Sequence, residues 1–174
     1  LSQYFIFKDI YSSRTTHYKF KVYFFALEKN IFLIVKIKRM PFAFNQKLWN
    51  LGRQIEDATL PVVNDFFKCD FKRNENNIWD VLDFRDEDKK IIVEVKGRTT
   101  PHDEFDDTII TASKVTSGFQ AIEGGYQVYF VFAFSDKTMY IELKSDASFK
   151  CKFTGSNCVR HYLIPVKDLI DLPT

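Results

Sequence analysis

The segment Ile91-Ile-Val-Glu-Val-Lys-Gly97 constrains this chain more than any other. A run of Ile and Val with its flanks bounded by polar residues reads as a β-strand. Two charges interrupt it. Strand side chains alternate, so Glu94 and Lys96 project from one face and Ile91, Val93 and Val95 from the other. A carboxylate and an ammonium two residues apart on one face can share a metal ion and a water. The segment Ile78-Trp-Asp-Val-Leu-Asp-Phe84 reads as a partner strand, with Arg85-Asp-Glu-Asp-Lys-Lys90 as the turn. With 85–90 as the loop, Phe84 lies opposite Ile91 and Asp80 opposite Val95, beside Glu94 and Lys96. Asp83 then falls opposite Ile92, on the other face.

An acid two residues before a Lys is a cheap pattern. It occurs five times, starting at Asp70, Glu87, Asp88, Glu94 and Glu142. Context separates them. The pairs at 87 and 88 fall in the turn, and Asp70–Lys72 lacks a preceding strand with an acid. Glu142–Lys144 lies on the strand-like Met139-Tyr-Ile-Glu-Leu143, but its nearest upstream acid, Asp136, is in a turn. Only Glu94–Lys96 has an acid placed beside it by a neighbouring strand.

Asp80 followed by Glu94-Val95-Lys96 resembles the PD-(D/E)XK nuclease superfamily, and Gly52-Arg-Gln-Ile-Glu56 is similar to the Gly-x-x-x-Glu on the first helix of many members, including resolvases of Holliday junctions. The resemblance covers about residues 45–134. It departs from the pattern at Trp79, where Pro is common. It implies a metal-dependent nuclease hydrolysing phosphodiester bonds of DNA, as an endonuclease. Asp80 and Glu94 offer hard oxygen ligands suited to Mg²⁺ or Mn²⁺. The resemblance adds the Val95 carbonyl as a third ligand and Glu56 as a completing one. Lys96 is the expected orienter of the attacking water and stabiliser of phosphate charge. No small-molecule cofactor is expected.

The surrounding pattern agrees with an α/β fold. Asn45 caps an expected helix over 46–66, with Leu48, Leu51, Ile55 and Ala58 or Thr59 as its apolar stripe and Pro61 as a kink. Phe67 to Lys72 reads as a strand, and 73–77 as a loop before the hairpin. After a polar loop over 97–107, Asp107 caps an expected helix over 108–123, with Ala112, Val115, Phe119 and Ile122 buried and Gly124-Gly125 as its stop. Tyr126 to Phe134 is apolar enough for a central strand. The resulting order, αβββαβ, is that of a restriction-endonuclease-like core: a central mixed sheet flanked by helices. Extra C-terminal strands are expected over 139–143, 149–153 and 161–164, a turn at Gly155-Ser-Asn157, and a helical turn within 166–172.

Charge is uneven. Residues 1–39 carry eight Lys/Arg and two Asp/Glu, so the remainder is net negative. This counts against a generally basic nucleic-acid surface, and a nuclease needs a local patch. Lys72, Arg73, Arg98 and Lys114 are the chief candidates for contacting DNA, with Lys68, Lys150 and Lys152 beside them. Lys114 is off its helix's apolar stripe, which fits a phosphate contact or a solvated residue. Residues 1–39 also hold ten of the 29 aromatics. They read as an N-terminal extension or as a β-hairpin over 19–38, ahead of a nuclease-like domain over 40–174. The apolar run 31–35 is far short of the ~20 residues of a membrane helix. Cys69, Cys151 and Cys158 lack metal or disulfide spacing and suggest reduced thiols in a cytoplasmic or otherwise intracellular protein. His17, His102 and His161 lack ligand spacing. A homodimer is a candidate assembly. Two other classes stay open: an inactive nuclease fold that binds nucleic acid or protein, and an assembly module using the aromatic N-terminal hairpin.

Overall fold

A computed structural model describes residues 5–10, 18–27, 30–39, 45–73, 82–154 and 159–173. Asp80, most of the strand expected over 78–84 and the turn at 155–157 lie outside the described residues. The chain divides into two compact units, Leu1–Phe44 with Thr154–Val159 and Asn45–Phe153 with Arg160–Thr174.

The first unit contains three antiparallel strands, β1 (Phe5–Ile10), β2 (Tyr18–Leu27) and β3 (Asn30–Arg39), in that spatial order. β2 and β3 pair from Tyr18↔Arg39 to Leu27↔Asn30, which is a hairpin over the residues the Lys alternation marked.

The second unit is mixed α/β. Helix α1 runs Gln46–Phe67 and is capped by Asn45, whose side chain accepts from the Leu48 backbone N–H at 3.2 Å. Strands β4 (Lys72–Arg73), β5 (Phe84–Asp86), β6 (Ile91–Gly97) and β7 (Asp107–Thr111) follow. Then come α2 (Ala112–Glu123), β8 (Gln127–Ala133), β9 (Thr138–Leu143), β10 (Lys150–Thr154) and β11 (Val159–Pro165). A short 3₁₀ turn at Val166–Asp168 leads into β12 (Ile170–Asp171). The main sheet has the order β12-β9-β8-β6-β5-β4. β6 and β8 are parallel, and their neighbours are antiparallel. β10, β11 and β7 form a separate three-stranded sheet.

Each face of the main sheet buries its own apolar cluster. Val93 and Val95 of β6 pack with Val63 of α1, Phe71, Phe84 and Val131. Ile92 of the same strand packs on the opposite face with Val115 of α2, Val128, Phe130 and Phe132. Full burial of each such side chain contributes roughly 1.5–3 kcal/mol. α1 lies so close to the end of β6 that a Cβ at Gly97 would meet Ile55 Cδ1 at 2.4 Å. That closeness fixes the helix against the strand end where the charged residues sit.

Several sequence expectations are corrected. The strand expected over 67–72 is mostly absent, because α1 continues to Phe67 and closes on Lys68 in the left-handed region, φ 54°. Phe66 and Phe67 stack on Tyr140 and Tyr129, and this packing keeps them in the helix. The helix expected from 108 starts at Ala112. Thr108-Ile109-Ile110-Thr111 is β-branched throughout and pairs with β11 instead, Ile109↔Leu163. Asp107 is therefore in a strand, and Thr111 takes the cap position. Leu48 and Leu51, expected on the buried stripe of α1, are exposed. Pro61 lies within the helix without ending it. As expected, β8 is central, α2 ends at Glu123, and Gly125 follows it at φ +87°. No helix among the described residues is long and apolar enough to cross a membrane.

Candidate metal centre

Glu94 comes from the middle of β6 and is only 2 % exposed, although Val93 and Val95 on either side point the other way. A lone carboxylate so placed is costly unless paired. Its partner is Lys114, reaching in from the first turn of α2, with Nζ 2.7 Å from Glu94 Oε2. The same ammonium lies 3.4 Å from Asp83 Oδ1. Asp83 Oδ2 accepts the Val95 backbone N–H at 2.9 Å. The ladder of β5 and β6 stops at Phe84↔Val93, so the Asp83 side chain takes the place of the next strand partner.

This register corrects the sequence reading. Phe84 pairs with Val93 rather than Ile91, because the connection is the four-residue turn 87–90 and not 85–90. Lys90 at φ 56° helps close it, and Asp86 accepts the Lys89 N–H at 2.9 Å. The shift of two residues brings Asp83 beside Glu94, while Asp80 lies outside the described residues. Asp83 was placed on the far face by the sequence reading and is instead on the face of Glu94.

Two carboxylates meet one ammonium here, which leaves one formal negative charge in excess. Burial first, then Asp83, push the Glu94 carboxyl well up, against the pull of Lys114. Burial draws the Lys114 ammonium down, but Glu94 and Asp83 outweigh it and hold it above its ordinary range. Lys114 is thus the internal counter-charge of two acids.

Glu56 stands nearby on α1. Burial, with Asp83 as the next cause, raises its carboxyl from the ordinary 4.5 to about 7, while Arg53 and Lys114 pull down. The Glu56 carboxylate also receives Arg73 Nη1 at 2.5 Å and Arg53 Nη1 at 3.3 Å. The sign of the resulting stability term is definite. A carboxyl with a raised folded pKa is protonated in the folded state while already ionised in the unfolded one. Its contribution is full below about 4.5 and is lost as pH rises through about 7. Glu56→Gln is expected to flatten the fall in stability across that window. Urea melts at pH 5 and pH 7.5 check this, and an unchanged difference between the two would refute it.

Lys96, next on the face of Glu94 by alternation, is exposed and makes no ion pair with another described residue. It lines a cleft of about 760 Å³ together with Glu56, Val95 and Gly97. Within a strand the N–H and C=O of one residue share an edge, so the Val95 carbonyl faces the edge that Asp83 occupies. Asp83 and Glu94 share the Lys114 ammonium beside the Val95 backbone, and Glu56 stands on α1 at the cleft, held by Arg53 and Arg73.

The expected DNA-contacting residues divide. Arg98 donates to Thr108 Oγ1 at 2.9 Å, to the Gly97 carbonyl at 3.1 Å and to the Ile109 carbonyl. Burial lowers its pKa to about 10. It ties β6 to β7 and also lines the cleft. Arg73 is tied down in the same way. It bridges Glu56 and Asp57, each at 2.5 Å, and lies over the Phe84 ring at 5.0 Å. Lys72 remains 80 % exposed, with a loose 3.5 Å contact to Asp70. Lys152, a subsidiary candidate, lines the cleft.

Elsewhere, the ligand atoms of His102, Asp103 and Asp136 lie within 4.8 Å of one another. His102 Nδ1 is 2.6 Å from Asp136 Oδ2, a pairing across 34 residues that spacing alone conceals. The Glu142–Lys144 pair closes on itself at 3.1 Å. Cys69 and Cys151 are free thiols.

The fold and site define a mixed α/β protein with an acid–lysine trio around a buried glutamate on one of two parallel strands. No family model matches the chain, and comparison with curated proteins and with solved structures gives no match either.

Proposed function

We propose that this chain is a metal-dependent nuclease of the PD-(D/E)XK type, acting on DNA as an endonuclease through Asp83, Glu94, the Val95 carbonyl, Lys96 and Glu56. The observation that carries this reading is the convergence of Asp83 and Glu94 on one ammonium, that of Lys114, at the edge where the Val95 carbonyl lies and next to solvent-facing Lys96. The element order α1, β4, β5, β6, α2, β8 is compatible with an αβββαβ core, with β7 added between β6 and α2. Asp83 replaces Asp80 in the motif, which then reads Leu82-Asp83 followed by Glu94-Val95-Lys96.

The acids supply the ligands, and burial of Glu94 with the Asp83–Val95 hydrogen bond holds them in place. A bound divalent cation supplies Lewis acidity and a water of lowered pKa. Lys96 presents its ammonium to the cleft, where it stabilises charge building on a phosphate oxygen and orients the attacking water. Glu56, at the cleft wall, offers a further carboxylate once freed from Arg73.

The test is cleavage of supercoiled plasmid and of a branched oligonucleotide with Mn²⁺ or Mg²⁺. Cutting is expected only with metal, and Lys96→Met is expected to lower it by about a hundredfold or more. Absence of cutting on both substrates with both metals would overturn the reading. A second reading has one observation in its favour. Lys114 already compensates the acids, as in a fold that has kept a polar core without chemistry. That protein would not cut either substrate.

A further inference from the structure

Lys114 occupies an unfavourable position for a lysine. It is in the first turn of α2, where the aligned peptide dipoles repel a cation and where no acidic residue offsets it. Its side chain is only 23 % exposed, so its ammonium is partly stripped of water. The two contacts to Glu94 and Asp83 offset both costs, and the acids in turn have no other cation within salt-bridge reach among the described residues. Lys114 and Glu94 come from different elements, α2 and β6, so the ammonium can leave without either strand of the β5–β6 pair moving. A flexible four-carbon stem gives it the reach to do so.

We propose that Lys114 is a resident cation of the acidic pocket, one that a divalent metal must displace from Glu94 and Asp83. This rests on the metal-centre reading above and adds a gate to it. The pocket is held together in the metal-free protein by Lys114. A metal then competes with an internal ammonium as well as with protons and water. Removing the ammonium makes the metal-free pocket less stable and the metal more welcome. Lys114 is on this account neither a ligand nor the motif lysine, a role that stays with Lys96.

The experiment titrates Mn²⁺ into wild type, Lys114→Met and Lys114→Gln by calorimetry, and follows Tm of each with and without Mn²⁺. Met matches the stem without the charge. Gln keeps an N–H donor for Glu94 and guards against a variant that fails to fold. The expected result is an Mn²⁺ affinity at least about tenfold tighter in both variants, equivalent to about 1.4 kcal/mol. Their Tm should be lower than wild type without metal and rise further on its addition. In the wild type, Mn²⁺ should increase acylation of the Lys114 amine, read by peptide mass spectrometry. Equal or weaker Mn²⁺ binding by the variants overturns the proposal, as does Lys114 labelling that metal leaves unchanged. The two readings fail separately. Metal-dependent cutting by wild type, with no affinity gain in the variants, removes the displacement and leaves the nuclease. A gain in affinity with no cutting by any form removes the nuclease and leaves the displaceable lysine.

Discussion

Asp83→Asn is expected to reduce metal-dependent cleavage by about a hundredfold to a thousandfold, the scale of losing one group that stabilises transition-state charge. Asn keeps an oxygen that can accept the Val95 N–H now held by Asp83 Oδ2 at 2.9 Å. The end of β6 therefore stays in place, and the lost charge is the main change. The variant also removes the second partner of Lys114, 3.4 Å away, which is the weaker of its two contacts. Retained folding with lost activity is the outcome that supports the assignment. Asp80→Asn belongs beside it. The observed pairing of Phe84 with Val93 makes Asp83 the neighbour of Glu94, so the larger loss should fall at position 83. Full activity in Asp83→Asn, with activity lost at position 80, would return the site to the register that a six-residue loop implies.

That register shows where sequence was informative and where it was not. β6 was legible to the residue, because Ile-Ile-Val-Glu-Val-Lys combines β-branched side chains with period-two charge. α1 was legible from Asn45 and its helical spacing, and β8 from an apolar run between turn signals. The loop was not. Arg85 and Asp86 are as polar as Glu87 and Lys90, and only the Asp86 carboxylate, accepting backbone N–H groups of Asp70 and Lys89, shows that position 86 belongs to the strand. Composition cannot report such a bond across 16 residues. Two residues of error in the loop put Asp83 on the wrong face. The same limit governs the cations. Arg73, Arg98 and Lys114 are indistinguishable from surface charges in sequence, yet they reach acceptors as far as 17, 11 and 31 residues away in the chain. Exposure of Leu48 and Leu51 was hidden for another reason: they line the cleft wall rather than the core, and periodicity does not distinguish the two.

The buried pair also changes which substitutions can report on chemistry. Glu94→Ala looks like a clean test of a metal ligand, but it strips Lys114 of its 2.7 Å partner. Breaking a buried pair costs about 3–5 kcal/mol when the remaining charge is uncompensated. Asp83 still stands 3.4 Å from that ammonium, so Glu94→Ala should fall near the low end, at about 3 kcal/mol. Lys114→Met is expected to cost more, because it leaves Glu94, 2 % exposed, facing Asp83 with no cation. The double variant Glu94→Leu with Lys114→Met replaces both charges by apolar groups and should be far more stable than the two single losses would sum to. Denaturant unfolding of the four proteins measures the coupling. A coupling near zero would mean that the 2.7 Å contact carries no net energy, and that Glu94→Ala can be used as a test of catalysis without correction. A coupling of about 2 kcal/mol or more makes Glu94→Gln the variant for activity work, since the amide keeps an acceptor for Lys114 while losing the charge a metal needs.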